Sequence, residues 1–241
     1  MKTCFIIVSI FFLLIFPFVS FAQGGPPLIT DDPLTPGPGK WEINIATAVE
    51  RSSLITEWQI PFIDINYGVG KYMQLKVESP FVIENENGKN IGNGFDGIKF
   101  GIKYRFLDAE SFGSNISSYP QIQIPLNLED KSEIFLPIEW NKEWSSFGLT
   151  VELGHDWMQG HSAGWSGGIA AALFLNRTDV LVEYHTNMQE ILFNISEPMI
   201  NLGIIWEYSE SLSFPVSFGK SLHQKNNETN LWSYIGVQLR L

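Results

Sequence analysis

Gly97-Ile98-Lys99-Phe100-Gly101-Ile102-Lys103-Tyr104-Arg105-Phe106 is the stretch that decides the fold. Side chains of an extended chain alternate at a period of two. Ile98, Phe100, Ile102, Tyr104 and Phe106 therefore share one face, and Gly97, Lys99, Gly101, Lys103 and Arg105 share the other. In a soluble sandwich the apolar face enters the core and the cations meet water. In an outer-membrane barrel the apolar face meets lipid and the cations line the lumen. Periodicity alone does not separate these two readings.

The N-terminus separates them. Lys2, the apolar run from Cys4 to Phe18, and Ser20 with Ala22 at small-residue cleavage positions form a secretory signal peptide. Residues 1–22 are read as that signal, 23–39 as a Pro-rich segment and 40–241 as one barrel domain. Loss of the signal removes the single cysteine, so no disulfide framework is expected. It also removes Lys2, which takes the net charge from −11 to −12. With 26 Asp and Glu the chain is unsuited to neutralising phosphates, and nucleic acid is excluded as a partner.

Alternation recurs near residues 40–50, 57–67, 72–83, 95–106, 119–128, 133–140, 144–157, 165–175, 179–187, 198–208, 211–220 and 231–241. These make about twelve strands of an all-β, antiparallel up-and-down transmembrane barrel, an even number as bacterial barrels require. With both termini at the periplasmic end, short turns fall at 68–71, 141–143, 176–178 and 209–210, and longer polar loops at 84–94, 158–164, 188–197 and 221–230. Residues 107–118 are an exception, being long where a turn should be short. All 8 tryptophans fall at strand ends on this map, Trp41, Trp140, Trp144 and Trp206 at the inner end and Trp58, Trp157, Trp165 and Trp232 at the outer end. Indoles prefer the two membrane interfaces, which favours two aromatic girdles.

Pro26-Pro27-Leu28-Ile29-Thr30-Asp31-Asp32-Pro33, followed by Pro36-Gly37-Pro38-Gly39-Lys40-Trp41-Glu42, resembles the opening of the MetA-pathway of phenol degradation family of outer-membrane transporters. The resemblance continues through Asp96 to Phe106, around Leu181-Val182-Glu183-Tyr184 and Asn201-Leu202-Gly203, and in Tyr234 to Leu239. It implies an outer-membrane channel that admits small hydrophobic or aromatic molecules. The final Leu239-Arg240-Leu241 lacks the terminal aromatic common in outer-membrane barrels.

Parity sends Lys76, Lys99, Lys103, Arg105 and Arg240 into the lumen, together with Glu42, Glu50, Asp64, Glu78, Glu139, Glu152, Glu183, His185 and Glu207. The constriction candidates are Lys76, Lys99, Lys103, Arg105, Glu152, Glu183, His185, Glu207 and Arg240. A lumen of about twelve strands is narrow. Two outcomes are open: opposed charges pair and plug it, or a cationic stripe faces a carboxylate wall and orients a passing solute. Ala46, Ala48, Gly97, Gly101, Gly148, Ala170, Ala172 and Gly203 on that face favour space within. The prolines at 33, 36 and 38 keep the opening segment out of a strand interior. It is expected to cross the periplasmic mouth or enter the lumen, with Asp31 and Asp32 meeting basic groups, unless it is an exposed terminus.

No Gly-x-Ser-x-Gly elbow accompanies the 4 histidines, so no enzyme activity is expected. His155, Asp156 and His161 lack metal-ligand spacing, and the Asn85 to Gly94 stretch lacks the carboxylate density of a calcium loop, so no metal or cofactor is expected. The partners expected are outer-membrane lipid, the barrel-assembly machinery and a small solute, and the location is the bacterial outer membrane. A lumen-filled barrel acting through its outer loops is the alternative to a channel.

Overall fold

The computed structural model describes residues 26–127, 131–158, 163–189, 194–223 and 229–241. The expected signal at 1–22 lies outside them. The strands are β1 (Trp41–Arg51), β2 (Ile55–Val69), β3 (Met73–Glu86), β4 (Lys89–Phe95), β5 (Gly97–Leu107), β6 (Asn115–Ser118) and β7 (Gln121–Pro125). After them come β8 (Glu133–Trp144), β9 (Phe147–Met158), β10 (Gly164–Leu175), β11 (Thr178–Gln189), β12 (Asn194–Ser209), β13 (Leu212–Ser221) and β14 (Leu231–Arg240). A single-turn helix, α1 (Ala109–Phe112), follows β5. Every pairing is antiparallel, and β1 meets β14 from Glu42↔Arg240 to Arg51↔Leu231, which closes the sheet.

The fourteen segments make twelve staves. β4 and β5 pair with the outer and inner halves of β3 and form one interrupted stave, and β6 and β7 do the same between β5 and β8. Uninterrupted staves run from 10 residues in β13 to 16 in β12, long enough to cross a bilayer when tilted.

The deciding stretch shows which way the faces point. Phe100, Ile102, Tyr104 and Phe106 are 43 to 53% exposed, whereas Lys103 is 1% exposed. Each full stave carries large apolar side chains on its outer surface in the same way, a belt far larger than a soluble monomer exposes, and so a surface made for lipid.

Several boundaries differ from the sequence reading. The loop expected at 84–94 is mostly strand: β3 continues into β4 through a two-residue hairpin at Asn87 and Gly88, both at positive φ, as a type I′ turn requires. The Asn and Gly content that suggested a flexible loop is that of one tight turn and its flanks. The turn expected at 141–143 lies at 145–146, because Asn141 points into the lumen and continues the ladder opposite Thr150. The long exception at 107–118 resolves into α1 and β6. Asp108 caps α1, its Oδ1 accepting the Ser111 N–H at 3.0 Å, a bond that holds the Asp108 carboxyl below its ordinary range. The fifth stave thus begins at Asn115 rather than Tyr119.

Trp41, Trp58, Trp144, Trp157 and Trp206 are exposed near stave ends as girdle residues. Trp232 departs from the girdle expectation, since it packs inside the barrel with Phe62 against Ala46, Ala48 and Tyr234. The small lumen residues do not leave the space anticipated. Gly101 lies under the ring of Tyr119, which is 0% exposed, Gly148 faces Phe174, and Gly203 faces Pro27 and Leu181. Gly101→Val is expected to displace the Tyr119 ring and destabilise the barrel by about 1–3 kcal/mol, the usual cost of overpacking, read as a lower urea midpoint in detergent.

Candidate functional site

The lumen holds the candidate site, and its occupant is the chain's own N-terminal segment. Residues 26–36 run inside the barrel as a Pro-rich segment of turns and bends outside every ladder, so their backbone donors need side-chain acceptors. The wall supplies them. Glu183 accepts the N–H of Ile29 at 3.2 Å and of Thr30 at 2.5 Å, and Glu152 accepts that of Asp31 at 3.2 Å. Ser217 Oγ donates to the Pro27 carbonyl at 2.6 Å. Leu28 fits an apolar recess of Ala170, Ala172, Leu181 and Ile205. The glycine at 168 admits Thr30, and the one at 68 admits the backbone of Gly37, where any side chain would collide.

Lys103 is the electrostatic anchor. Its Nζ lies 3.1 Å from Asp31 Oδ1 and 3.4 Å from Glu139 Oε2, and it donates to the Asp32 carbonyl. Glu139 is 0% exposed and also accepts from Ser117 Oγ. Tyr119 stacks beneath two ammonium groups, with Lys103 Nζ 4.8 Å and Lys76 Nζ 5.7 Å from its centroid. A second cluster on β2 and β3 joins Lys76 to Asp64 at 3.5 Å and to Glu78 at 3.4 Å, and Glu78 to Lys99 at 3.0 Å. Asp64 also accepts from Asn44 and Asn66.

The sequence-derived candidates fall into separate groups. Lys103, Glu152 and Glu183 hold the segment, with His185 buried beside Glu183's strand neighbours. Lys76 and Lys99 belong to the β2–β3 cluster. Arg105 lies at the inner end, donating to the Lys71 carbonyl at 3.0 Å beside the Tyr72 ring, and Arg240 pairs with Glu207 at 3.2 Å. Lys99, Lys103 and Arg105 therefore engage three different partners rather than one carboxylate wall. Asp31 meets Lys103 as anticipated, whereas the Asp32 carboxylate turns back to the Leu34 N–H at 2.5 Å. Tyr119, Ser217 and Asn201, which donates to Glu183 at 2.5 Å, escaped the sequence reading because neutral residues on a lumen face carry no distinguishing pattern. His155 packs between the rings of Trp157 and Trp165, at 4.1 and 4.6 Å, and His161 lies outside the described residues. Among the described residues no three ligating side chains converge on a metal position.

Glu183→Gln is expected to loosen the segment by about 1.5–3 kcal/mol, the range for hydrogen bonds to a charged acceptor. Faster hydrogen exchange at the Ile29 and Thr30 amides, with the barrel amides unchanged, is the readout.

The segment divides the lumen. On the outer side a cavity of about 700 Å³ is floored by Pro26, Leu28, Ile29 and Asp31. On the inner side a space of about 20 Å³ remains among Asp32, Leu34, Glu42, Asn66 and Lys103.

No family model matches the chain, and no curated protein matches its sequence. Solved structures do share the fold. An outer-membrane channel from Pseudomonas putida F1 aligns with a TM-score of 0.63 at 8% identity, over 91% of this chain and 100% of that one. The NanC porin aligns at 0.62 and 9% identity, over 83% of this chain and all of its own, and the KdgM porin at 0.57 and 10% identity, over 81% and 98%. The architecture is thus that of bacterial outer-membrane channels, and a closed barrel with this lipid-facing belt belongs in that membrane.

Proposed function

We propose that the protein is a gated outer-membrane channel for small solutes, in which residues 26–36 are the gate. The carrying observation is a cavity of about 700 Å³, large enough for a small molecule, ending on a removable polypeptide rather than on the barrel wall. The segment's prolines and its wall of matched acceptors keep it seated and closed at rest. A solute passes when the segment withdraws as a unit towards the inner mouth, where it is tethered by the Gly39 N–H to the Gly68 carbonyl. The resemblance of its opening motif to the MetA-pathway family favours hydrophobic or aromatic solutes, and the apolar side chains of the cavity suit them. Passage through the barrel-assembly machinery into outer-membrane lipid belongs to the same reading.

The dense Lys103, Asp31 and Glu139 contacts favour a second reading, a permanently filled barrel that acts through its outer loops. One disulfide distinguishes them. A Cβ built at Gly168 stands 3.1 Å from Thr30 Cβ, close to disulfide range, so Thr30→Cys with Gly168→Cys staples the segment to β10. In liposomes loaded with an aromatic-solute sensor, uptake stops on oxidation and returns on reduction if the segment is a gate. Uptake indifferent to the staple, or absent in every state, rejects the gate.

A further inference from the structure

One wall of the outer cavity is aromatic. Tyr234 of β14 stands opposite Ala48 of β1, and Gly236, next inward on the same face, leaves its ring room: a Cβ built there would meet the Tyr234 hydroxyl at 3.0 Å. Phe62 meets Tyr234 edge to face at 6.3 Å between centroids, and Trp232 packs against the same cluster. All three rings line the cavity of about 700 Å³. Trp232 lies nearer the outer end of β14, and Tyr234 one step deeper.

The Trp232 Nε1 and the hydroxyl of Tyr234, a residue 3% exposed, are buried without a hydrogen-bond partner. Buried polar groups are ordinarily satisfied, and leaving one unpaired costs its desolvation. Phenylalanine at 234 would set the same ring against Phe62 without that cost, so packing alone does not account for the hydroxyl. An indole Nε1 only donates, and a phenol donates as well as accepts. The complement of such a wall is an acceptor oxygen on a flat apolar body that fits among three rings. Charge narrows the class. Glu78, Glu133, Glu152 and Asp156 line the same cavity, and its lysines among the described residues, Lys76 and Lys99, are already paired with Asp64 and Glu78. A carboxylate guest would meet like charge, and an ammonium guest would bring donors to the Trp232 donor. An uncharged acceptor suffers neither.

We propose that Trp232, Tyr234 and Phe62 form a selectivity site for uncharged aromatic carbonyl compounds, the amides, ketones, aldehydes and esters of a single ring. The carbonyl oxygen accepts from Trp232 Nε1–H on entry and from the Tyr234 hydroxyl one step further in, while the ring lies against Phe62 and the indole. The site deepens the channel reading by naming the solute's functional group, and rests on that reading for its purpose although not for its existence.

Calorimetric titration of the intact barrel in detergent tests it, with benzamide, toluene and benzoate as probes. Benzamide and toluene are each compared with themselves across variants at one detergent concentration, so uptake by micelles cancels. Benzamide is expected to bind the intact barrel, and Tyr234→Phe to weaken it about three- to tenfold, the worth of one neutral hydrogen bond, with toluene unchanged. Trp232→Phe, which keeps a ring and loses the donor, should weaken benzamide more than toluene. Benzoate is expected to bind at least about tenfold more weakly than benzamide, as like charges on the wall require. The free Tyr234→Phe barrel should unfold at the same temperature or higher, because the hydroxyl it loses had no partner; that verifies the fold and separates a binding role from a structural one. No binding of benzamide, equal losses for benzamide and toluene, benzoate bound as tightly as benzamide, or a lower transition in the free Tyr234→Phe barrel overturns the proposal. The titration is repeated on the oxidised Thr30→Cys, Gly168→Cys barrel, in which the segment still floors the cavity. Benzamide bound there without gated uptake loses only the gate, whereas gated uptake without benzamide binding loses only this site.

Discussion

Deletion of residues 26–36 is expected to convert a nearly silent barrel into a conducting one, with discrete single-channel steps about an order of magnitude larger than those of the intact chain in a planar bilayer. The residues removed supply the floor of the outer cavity and one side of the inner space, so their loss joins the two into one path. Gly37 and Gly39 remain, preserving the backbone bonds at the inner mouth and the start of β1. The barrel keeps every stave pairing, because no ladder passes through the deleted stretch. Glu152, Glu183 and Lys103 exchange backbone partners for water in a hydrated lumen, which costs them little. An unchanged current would show that the lumen is closed elsewhere and would sink the gate. Cation selectivity is the second readout, since the exposed wall then carries Glu152 and Glu183 against Lys103.

Lys103→Met is expected to have the largest effect of any single substitution. It leaves Asp31 and Glu139 facing each other without their shared cation, and breaking a buried pair by removing one partner typically costs about 3–5 kcal/mol. The two carboxylates can escape differently. Asp31 lies on the segment and leaves with it, whereas Glu139 is fixed on β8 and 0% exposed. The expected outcome is a released segment, seen as thermolysin cleavage before Leu28, Ile29 or Leu34, together with a lower thermal transition of the barrel. Adding Glu139→Gln should restore the transition but not protection of the segment, because Asp31 still lacks its ammonium. Protection retained in Lys103→Met would assign closure to Leu28 and Glu183 instead.

Parity was enough to place the charged residues. Lys76, Lys99, Lys103, Glu139, Glu152 and Glu183 alternate with apolar neighbours on straight staves, and a period of two has only two solutions. It failed where the ladder is irregular. The bulge after Gln59 brings Glu57 into line with Glu50; Pro61, which cannot donate to a ladder, marks an irregularity there but not which side chains it turns inward. The hairpin at Asn87-Gly88 was hidden for a different reason: its flanking Glu86, Lys89 and Asn90 are polar on both faces because that extension stands beyond the lipid. Small lumen residues were misread as empty space, since Ala170 and Gly203 are small to admit Leu28 and Pro27.

The sequence by itself determined the architecture: alternation, an even number of strands and a lipid-compatible outer face follow from local side-chain geometry, which each strand carries alone. It also determined that Pro33, Pro36 and Pro38 keep the opening segment out of the sheet. Only the tertiary structure decided where that segment goes and which charges meet. Contacts between Thr30 and Glu183, Asp31 and Lys103, or Pro27 and Ser217 join positions far apart in the chain. Their pairing depends on ring closure and on the registers of β5, β9, β11 and β13, quantities summed over the whole barrel that no local stretch contains.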